Sequence, residues 1–347
     1  MTDHRTSGTS GGALLDDLDD RAGVLPLAFE GGTDSVVLAR MDRGAYERSA
    51  FLDQRAQPVD RGVERVEVAA LAERADEAGV AARAVRVLLH SAFCGSTLLS
   101  RLLDAPGRCL AYKEPLTLHQ LSIGLRRGTP GTRDGLDVMA RLLGRTFGDG
   151  EVALIKPTDT AGPVGTELLD RHNGSRALVL ADGLEGFVST MLRNAQRRQY
   201  LRSVLGRVRR DLDGHAAASA TPVDDAQGAA LVWLGLARVF VDLHDAHPGR
   251  VAFMHADAMR EDPEGSLGVA LEAFGAGGDE REAALAGAAD KLGQHSKSGA
   301  AFDPQEHRHR RATARRALAD EIRIARAFMR LHAADALVDR FESLLGG

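Results

Sequence analysis

The sequence predicts an α/β protein, with a central parallel sheet wrapped on both faces by helices. Three observations carry this. Short aliphatic runs (VRVLLH, EVALIKP, SRALVLAD, RVAFMHAD) recur between longer stretches of helical character. Their centres are apolar without alternation, as in strands covered on both faces. Where the first run ends, in HSAFCGSTLLSRLLD (residues 90–104), Gly, Ser and Thr crowd between a strand and a helix. In open parallel sheets, that is where ligands bind.

Each element follows in chain order. Residues 1–22 are acidic and Gly/Ser-rich and read as a flexible tail. Residues 23–84 form an N-terminal extension packed on the core, with short strands at 25–29 and 35–38 and a helix at 68–78. Residues 85–347 form the α/β domain. VRVLLH (85–90) is its first strand, and a helix follows from Ser96 to Leu103. RCLAY (108–112) is the second strand and runs into Lys113-Glu114-Pro115. A helix at 116–127, the turn-rich GTPGTRDG and a helix at 136–147 come next. EVALIKP (151–157) and SRALVLAD (175–182) are the third and fourth strands. Asp182 is a good N-cap for a helix reaching residue 198. A polar, alanine-rich break at 213–221 precedes a helix at 226–247. RVAFMHAD (250–257) is the fifth strand, and Pro263 opens another helix. Residues 311–345 read as one long helix.

Composition narrows the function. A chain of 347 residues can bury a full core. A net charge of −5 argues against a dedicated nucleic-acid binder but leaves room for a local basic pocket. Two cysteines, Cys94 and Cys109, make no disulfide framework and fit a reducing compartment. No run approaches the roughly 20 apolar residues of a membrane helix, and the N-terminus lacks the order of a signal peptide. The expected location is the cytoplasm, with no membrane or nucleic-acid partner.

The loop at 90–104 is the main lead. A loop that ends a strand and feeds a helix N-terminus offers unpaired N–H groups and the positive end of the helix dipole. Small residues let an anion approach the backbone, and the hydroxyls of Ser96 and Thr97 add donors. The GxxxxGK[ST] pattern of triphosphate hydrolases is absent.

CGSTLLSRLLD resembles the 5′-phosphosulfate loop of sulfotransferases, enzymes that take a sulfuryl group from 3′-phosphoadenosine 5′-phosphosulfate (PAPS). The resemblance implies a three-layer P-loop sulfotransferase-like fold with helical insertions. It also implies that Cys94, Gly95, Ser96 and Thr97 hold the 5′ end of the donor. Phe93 stands where that family carries Lys or Arg. VLADGLEGFVSTMLR (179–193) is similar to the family's 3′-phosphate segment, with Asp182, Glu185 and Ser189 at matching places, Ala181 replacing its arginine and Gly183 its proline. Ser189 is then a 3′-phosphate ligand and Arg193, one helical turn on, a substitute cation. FMHADAMREDPEGSLGVALEAFG (253–275) resembles the family's late strand, acidic turn and Pro-started helix. GQHSKSGAAFDP (293–304) resembles the loop that closes over the 3′-phosphate, with Ser296 and Lys297 as its ligands.

Sulfuryl transfer requires positioning, charge stabilisation and a base. Glu114, at a strand end beside the loop, is the expected base. Lys113 is the expected charge stabiliser, with Lys156 a second source of charge. His90 and His119 are the alternative bases. The histidines at 307 and 309 lack a Cys/His partner set, so no metal is expected. The basic stretch 194–210 reads as a solvated face or an entrance for an anion. Cys94 lies at a helix start, where a thiol pKa can fall, but its neighbours suggest packing. Two other classes stay open: a non-catalytic nucleotide sensor and a phosphotransferase. The acceptor, expected to be a small molecule or carbohydrate met by residues 116–133 and 201–225, is not readable, nor is the oligomeric state.

Overall fold

Eight strands and their helices are seen in the computed structural model, which describes residues 13–292, 304–332 and 334–346. β1 (Val24–Glu30), β2 (Ser35–Arg40) and β3 (Val63–Glu67) form an antiparallel sheet in that order. β4 (Val85–His90), β5 (Cys109–Lys113), β6 (Val152–Lys156), β7 (Arg176–Ala181) and β8 (Val251–His255) form the second sheet. It is parallel throughout, in the order β5-β6-β4-β7-β8. The α/β class and the helix-flanked parallel sheet are those the sequence predicts.

Alternation along these strands builds two cores. Val85, Val87 and Leu89 of β4, with Ala177 and Val179 of β7, enter one. Leu88, Leu178 and Leu180 enter the other, against Leu99, Leu102 and Leu103 of the helix Ser96–Leu103. A strand covered on both faces needs apolar residues at every position, which is why these runs showed no period of two. The first core is continuous with Leu25, Val36 and Leu38 of the antiparallel sheet, so the N-terminal extension shares the interior of the α/β domain.

Several sequence readings are corrected. Residues 13–22 are not a loose tail. A short helix, Ala13–Asp16, accepts a cap from Glu64, whose Oε2 lies 2.8 Å from the Leu14 amide. Leu18 and Ala22 are fully buried. β3 and the Asp42-capped helix Arg43–Arg48 went unread. The helix expected at 136–147 is Thr132–Leu143, so part of the turn-rich segment is helical. Asp182 does not cap the next helix: Gly183 takes that position, without a side-chain bond, and the helix is Leu184–Leu192. A second helix, Ala195–Val208, starts where the Asn194 side chain accepts from the Arg197 amide. This cap splits the single helix expected there. The C-terminal stretch is three helices, Pro304–Ala317, Ala319–Leu331 and Asp335–Gly346.

The helix Asp225–Ala246 corrects another point. By length and composition it is apolar enough to cross a membrane, yet 78% of its apolar window is buried inside the protein. It is a core helix, with Trp233, Leu234 and Phe240 fully enclosed.

Candidate functional site

The carboxyl ends of β4, β5, β6 and β7 share one edge of the parallel sheet, and the chemistry-bearing residues gather there. After His90 the chain turns sharply. Phe93 adopts φ 60° and Gly95 φ 103°. A side chain on residue 95 would be strained, and its Cβ would come 3.3 Å from Met259. Ser96 and Thr97, both buried, begin the helix Ser96–Leu103, so its free N–H groups face this turn. The Ser91 side chain accepts from the Asp182 amide at 3.1 Å, tying the loop to the end of β7. Glu114, after β5, also lies in the left-handed region, at φ 54°. Among the described residues only Asp34 joins Phe93 and Glu114 as a non-glycine with positive φ. Such backbone costs about 1–3 kcal/mol per residue and gathers at functional sites.

Two charge clusters flank the loop. On the β7 side, Arg260 makes a paired contact with the fully buried Asp182, at 2.6 and 2.7 Å, and bonds Asp257 at 2.9 Å. Its Nη2 also donates to the Phe93 carbonyl at 3.3 Å. Burial opposes the Arg260 charge, but Asp182 outweighs it and raises the pKa. Arg311 approaches Asp182 at 3.7 Å and pairs with Asp257. On the other side, Lys156 at the end of β6 pairs with Glu114. The His90 Nε2 lies 4.0 Å from the same carboxylate. His90 is enclosed between the carbonyls of Pro157 and Ser91, each 3.1 Å from a ring nitrogen. Burial, and then the Lys156 charge, push its pKa down to about 3, so the ring is neutral at physiological pH.

Beyond Glu114 lies Asp159. Both its oxygens meet the Tyr200 hydroxyl, at 2.6 and 2.5 Å. Burial pushes this carboxyl up to about 6; the Glu114 charge adds to the rise and the Tyr200 bond opposes it. A carboxyl raised in the fold holds its proton more tightly there than in the unfolded chain. Its contribution is therefore fully present below pH 4 and is lost as pH rises through about 6. Asp159→Asn should remove that loss, flattening stability between pH 4 and 6 by about 3 kcal/mol. Urea midpoints measured across this range, variant against wild type, check it; parallel pH profiles would refute it.

The predicted residues fall out as follows. Gly95, Ser96 and Thr97 line the turn. Cys94 beside them is buried, and burial, then Asp182, push its thiol up to about 11, so it packs rather than reacts. Glu114 stands at the same edge, but Lys113 does not serve it. The Lys113 ammonium donates to the carbonyls of Tyr46 at 2.6 Å and Glu47 at 3.4 Å, and burial lowers its pKa to about 8. The cation at Glu114 is Lys156, the in-register neighbour of Lys113 on β6. Ser189 is buried, its hydroxyl donating back to Gly186 at 3.0 Å. Arg193 is the exposed C-cap of Leu184–Leu192. Glu185 pairs with Arg326 and lies 3.7 Å from Arg315. Ser296 and Lys297 lie outside the described residues.

The sequence pointed to Arg197 and Tyr200 only as part of the basic stretch 194–210, and it did not single out Arg260, Asp159 or Phe51 as members of this site. Phe51 belongs to the N-terminal extension, and its ring centroid is 5.9 Å from the Lys156 ammonium. Of the last three, only Asp159, two residues past the Lys156-Pro157 strand end, carried a positional signal.

No protein-family model matches the chain, and no curated protein matches it. Among solved structures it is similar to a sulfotransferase domain from the curacin biosynthetic pathway. The identity is 11%, over 57% of this chain and 75% of that one, with a TM-score of 0.37. It is also similar to a sulfotransferase from Alicyclobacillus acidocaldarius, at 17% identity over 61% of this chain and 94% of that one, with a TM-score of 0.36.

Proposed function

We propose that this chain is a PAPS-dependent sulfotransferase acting on a hydroxyl or amine of a small-molecule or carbohydrate acceptor in the cytoplasm. One observation supports this above the rest. A strained, glycine-containing turn at the end of β4 faces a helix N-terminus and has a lysine-paired carboxylate on the neighbouring strand ends. In this reading Cys94–Thr97 and the helix dipole hold the 5′-phosphosulfate. Ser189, Arg193, Ser296 and Lys297 hold the 3′-phosphate. To do so, Ser189 must turn its hydroxyl from Gly186. Glu114 takes the acceptor's proton as the acceptor oxygen or nitrogen bonds to sulfur. The bond from sulfur to the bridging oxygen then breaks, and adenosine 3′,5′-bisphosphate leaves. Lys156, rather than the carbonyl-bound Lys113, stabilises the developing charge, and no metal is required.

Calorimetric titration with adenosine 3′,5′-bisphosphate tests the donor site. Micromolar binding by wild type, weakened about tenfold by Ser189→Ala and by Lys297→Ala, is expected. Slow consumption of PAPS with water as acceptor, lost in Glu114→Gln, is expected of an enzyme. Binding without consumption would identify a nucleotide sensor, and Mg²⁺-stimulated ATP hydrolysis a phosphotransferase. A wild type that does not bind the bisphosphate would sink the assignment.

A further inference from the structure

We propose that Arg197 supplies the positive charge that the loop lacks at residue 93, with the Phe93 ring as the platform that holds it, and that its ligand is the anionic 5′ group of the nucleotide. This rests on the donor-binding reading above. The Arg197 guanidinium lies 4.2 Å over the centroid of the Phe93 ring. Its Nη1 donates to the Thr190 carbonyl at 2.8 Å, and its backbone amide to the Asn194 cap at 2.9 Å. The side chain is thus anchored at both ends beside the turn.

Its charge is not matched. Among the described residues no carboxylate lies within ion-pair distance of Arg197, although its neighbours are paired. Arg198 and Arg202 on the same helix share Asp225, and Arg260 and Arg311 share Asp182 and Asp257. Burial, and then the charges of Arg193 and Arg260, push the Arg197 pKa down to about 10, with the more distant Asp182 charge opposing them only weakly. A half-buried cation set among other cations is unfavourable by itself and becomes favourable when an anion arrives.

Phe93 is positioned for this task. It sits in the left-handed region and is 38% exposed, a costly place for a phenyl ring that only packs. Its ring meets Tyr200 edge-on, centroids 5.7 Å apart, and Tyr200 is held by Asp159. The line Asp159–Tyr200–Phe93–Arg197 therefore runs from a buried acid to an unmatched guanidinium.

The test is titration of the full chain with adenosine 3′,5′-bisphosphate, adenosine 5′-monophosphate and adenosine 3′-monophosphate. Arg197→Ala should weaken the bisphosphate and the 5′-monophosphate about 10- to 100-fold and leave the 3′-monophosphate within about twofold. Phe93→Ala should cost about tenfold, while Phe93→Trp retains affinity. In Arg197→Ala, adding Phe93→Lys should regain most of the loss, because the cation then stands on residue 93 itself. Thermal melting of Arg197→Ala, with Arg197→Gln carried through the same titrations, checks that any loss of binding is not a loss of fold. Wild-type binding with Arg197→Ala and Phe93→Ala both within about twofold would overturn the inference and leave the proposed function standing. A wild type that binds none of the three would overturn both.

Discussion

Asp182→Ala is expected to lower stability by about 3 kcal/mol, measured as the free energy of urea unfolding at neutral pH. The reason is what remains behind. Asp182 is fully enclosed at the end of β7, and the Arg260 side chain is only 8% exposed. Without the carboxylate, a guanidinium stays buried with Asp257, which it shares with Arg311, as its remaining acid. Breaking a buried pair by removing one partner typically costs 3–5 kcal/mol, and the surviving Asp257 contact sets the lower end. Asp182→Leu combined with Arg260→Met should then be more stable than Asp182→Ala, because no orphaned charge is left. A single-variant loss below about 1 kcal/mol would mean that Arg260 finds water or another acid.

Lys156→Met is the second large effect. The Lys156 side chain is 1% exposed and pairs with Glu114, which is 19% exposed. Methionine fills the volume but takes the Lys156 charge away from the carboxylate. A loss of about 2–3 kcal/mol is expected, smaller than for a fully enclosed acid because water reaches Glu114. The same substitution has a second readout. The Lys156 charge is, after burial, the next cause holding the His90 pKa near 3. Removing it should move the imidazole titration upward, observable by nuclear magnetic resonance of the ring protons. A stationary His90 titration would show that burial alone sets it. Under the proposed function the variant also loses turnover, since Glu114 and the developing charge both lose their counter-ion.

What was legible in the sequence follows from where each element sits. The five parallel strands are apolar at nearly every position because both faces are covered, so they read without context. β3, VERVE, is an edge strand whose single buried residue is Val66, and one apolar contact leaves no pattern. The turn at 91–95 was legible because glycine before Ser-Thr has a local reason to be there. The partners of that turn were not. Arg260 and Asp182 are 78 residues apart and meet only because β8 pairs with β7. Lys113 and Lys156 look equivalent in sequence, both closing a strand. The difference is tertiary: the carbonyls of Tyr46 and Glu47, from the N-terminal extension, engage Lys113 and leave Lys156 to Glu114. Asp182 looked like a helix cap for a sound local reason, and a bond from Arg260 overrode it.

The position of Arg260 also bears on the order in which the molecule assembles. It lies five residues past the end of β8, an edge strand, on the short helix Ala256–Glu261. Until that strand docks against β7, the Asp182 carboxylate has no Arg260 to meet and must keep its water. Arg260 also holds the Phe93 carbonyl, so the same docking event reaches the turn. The charge pattern around the loop therefore depends on an edge strand: β4 to β7 can be paired and the loop still incomplete until β8 is in place.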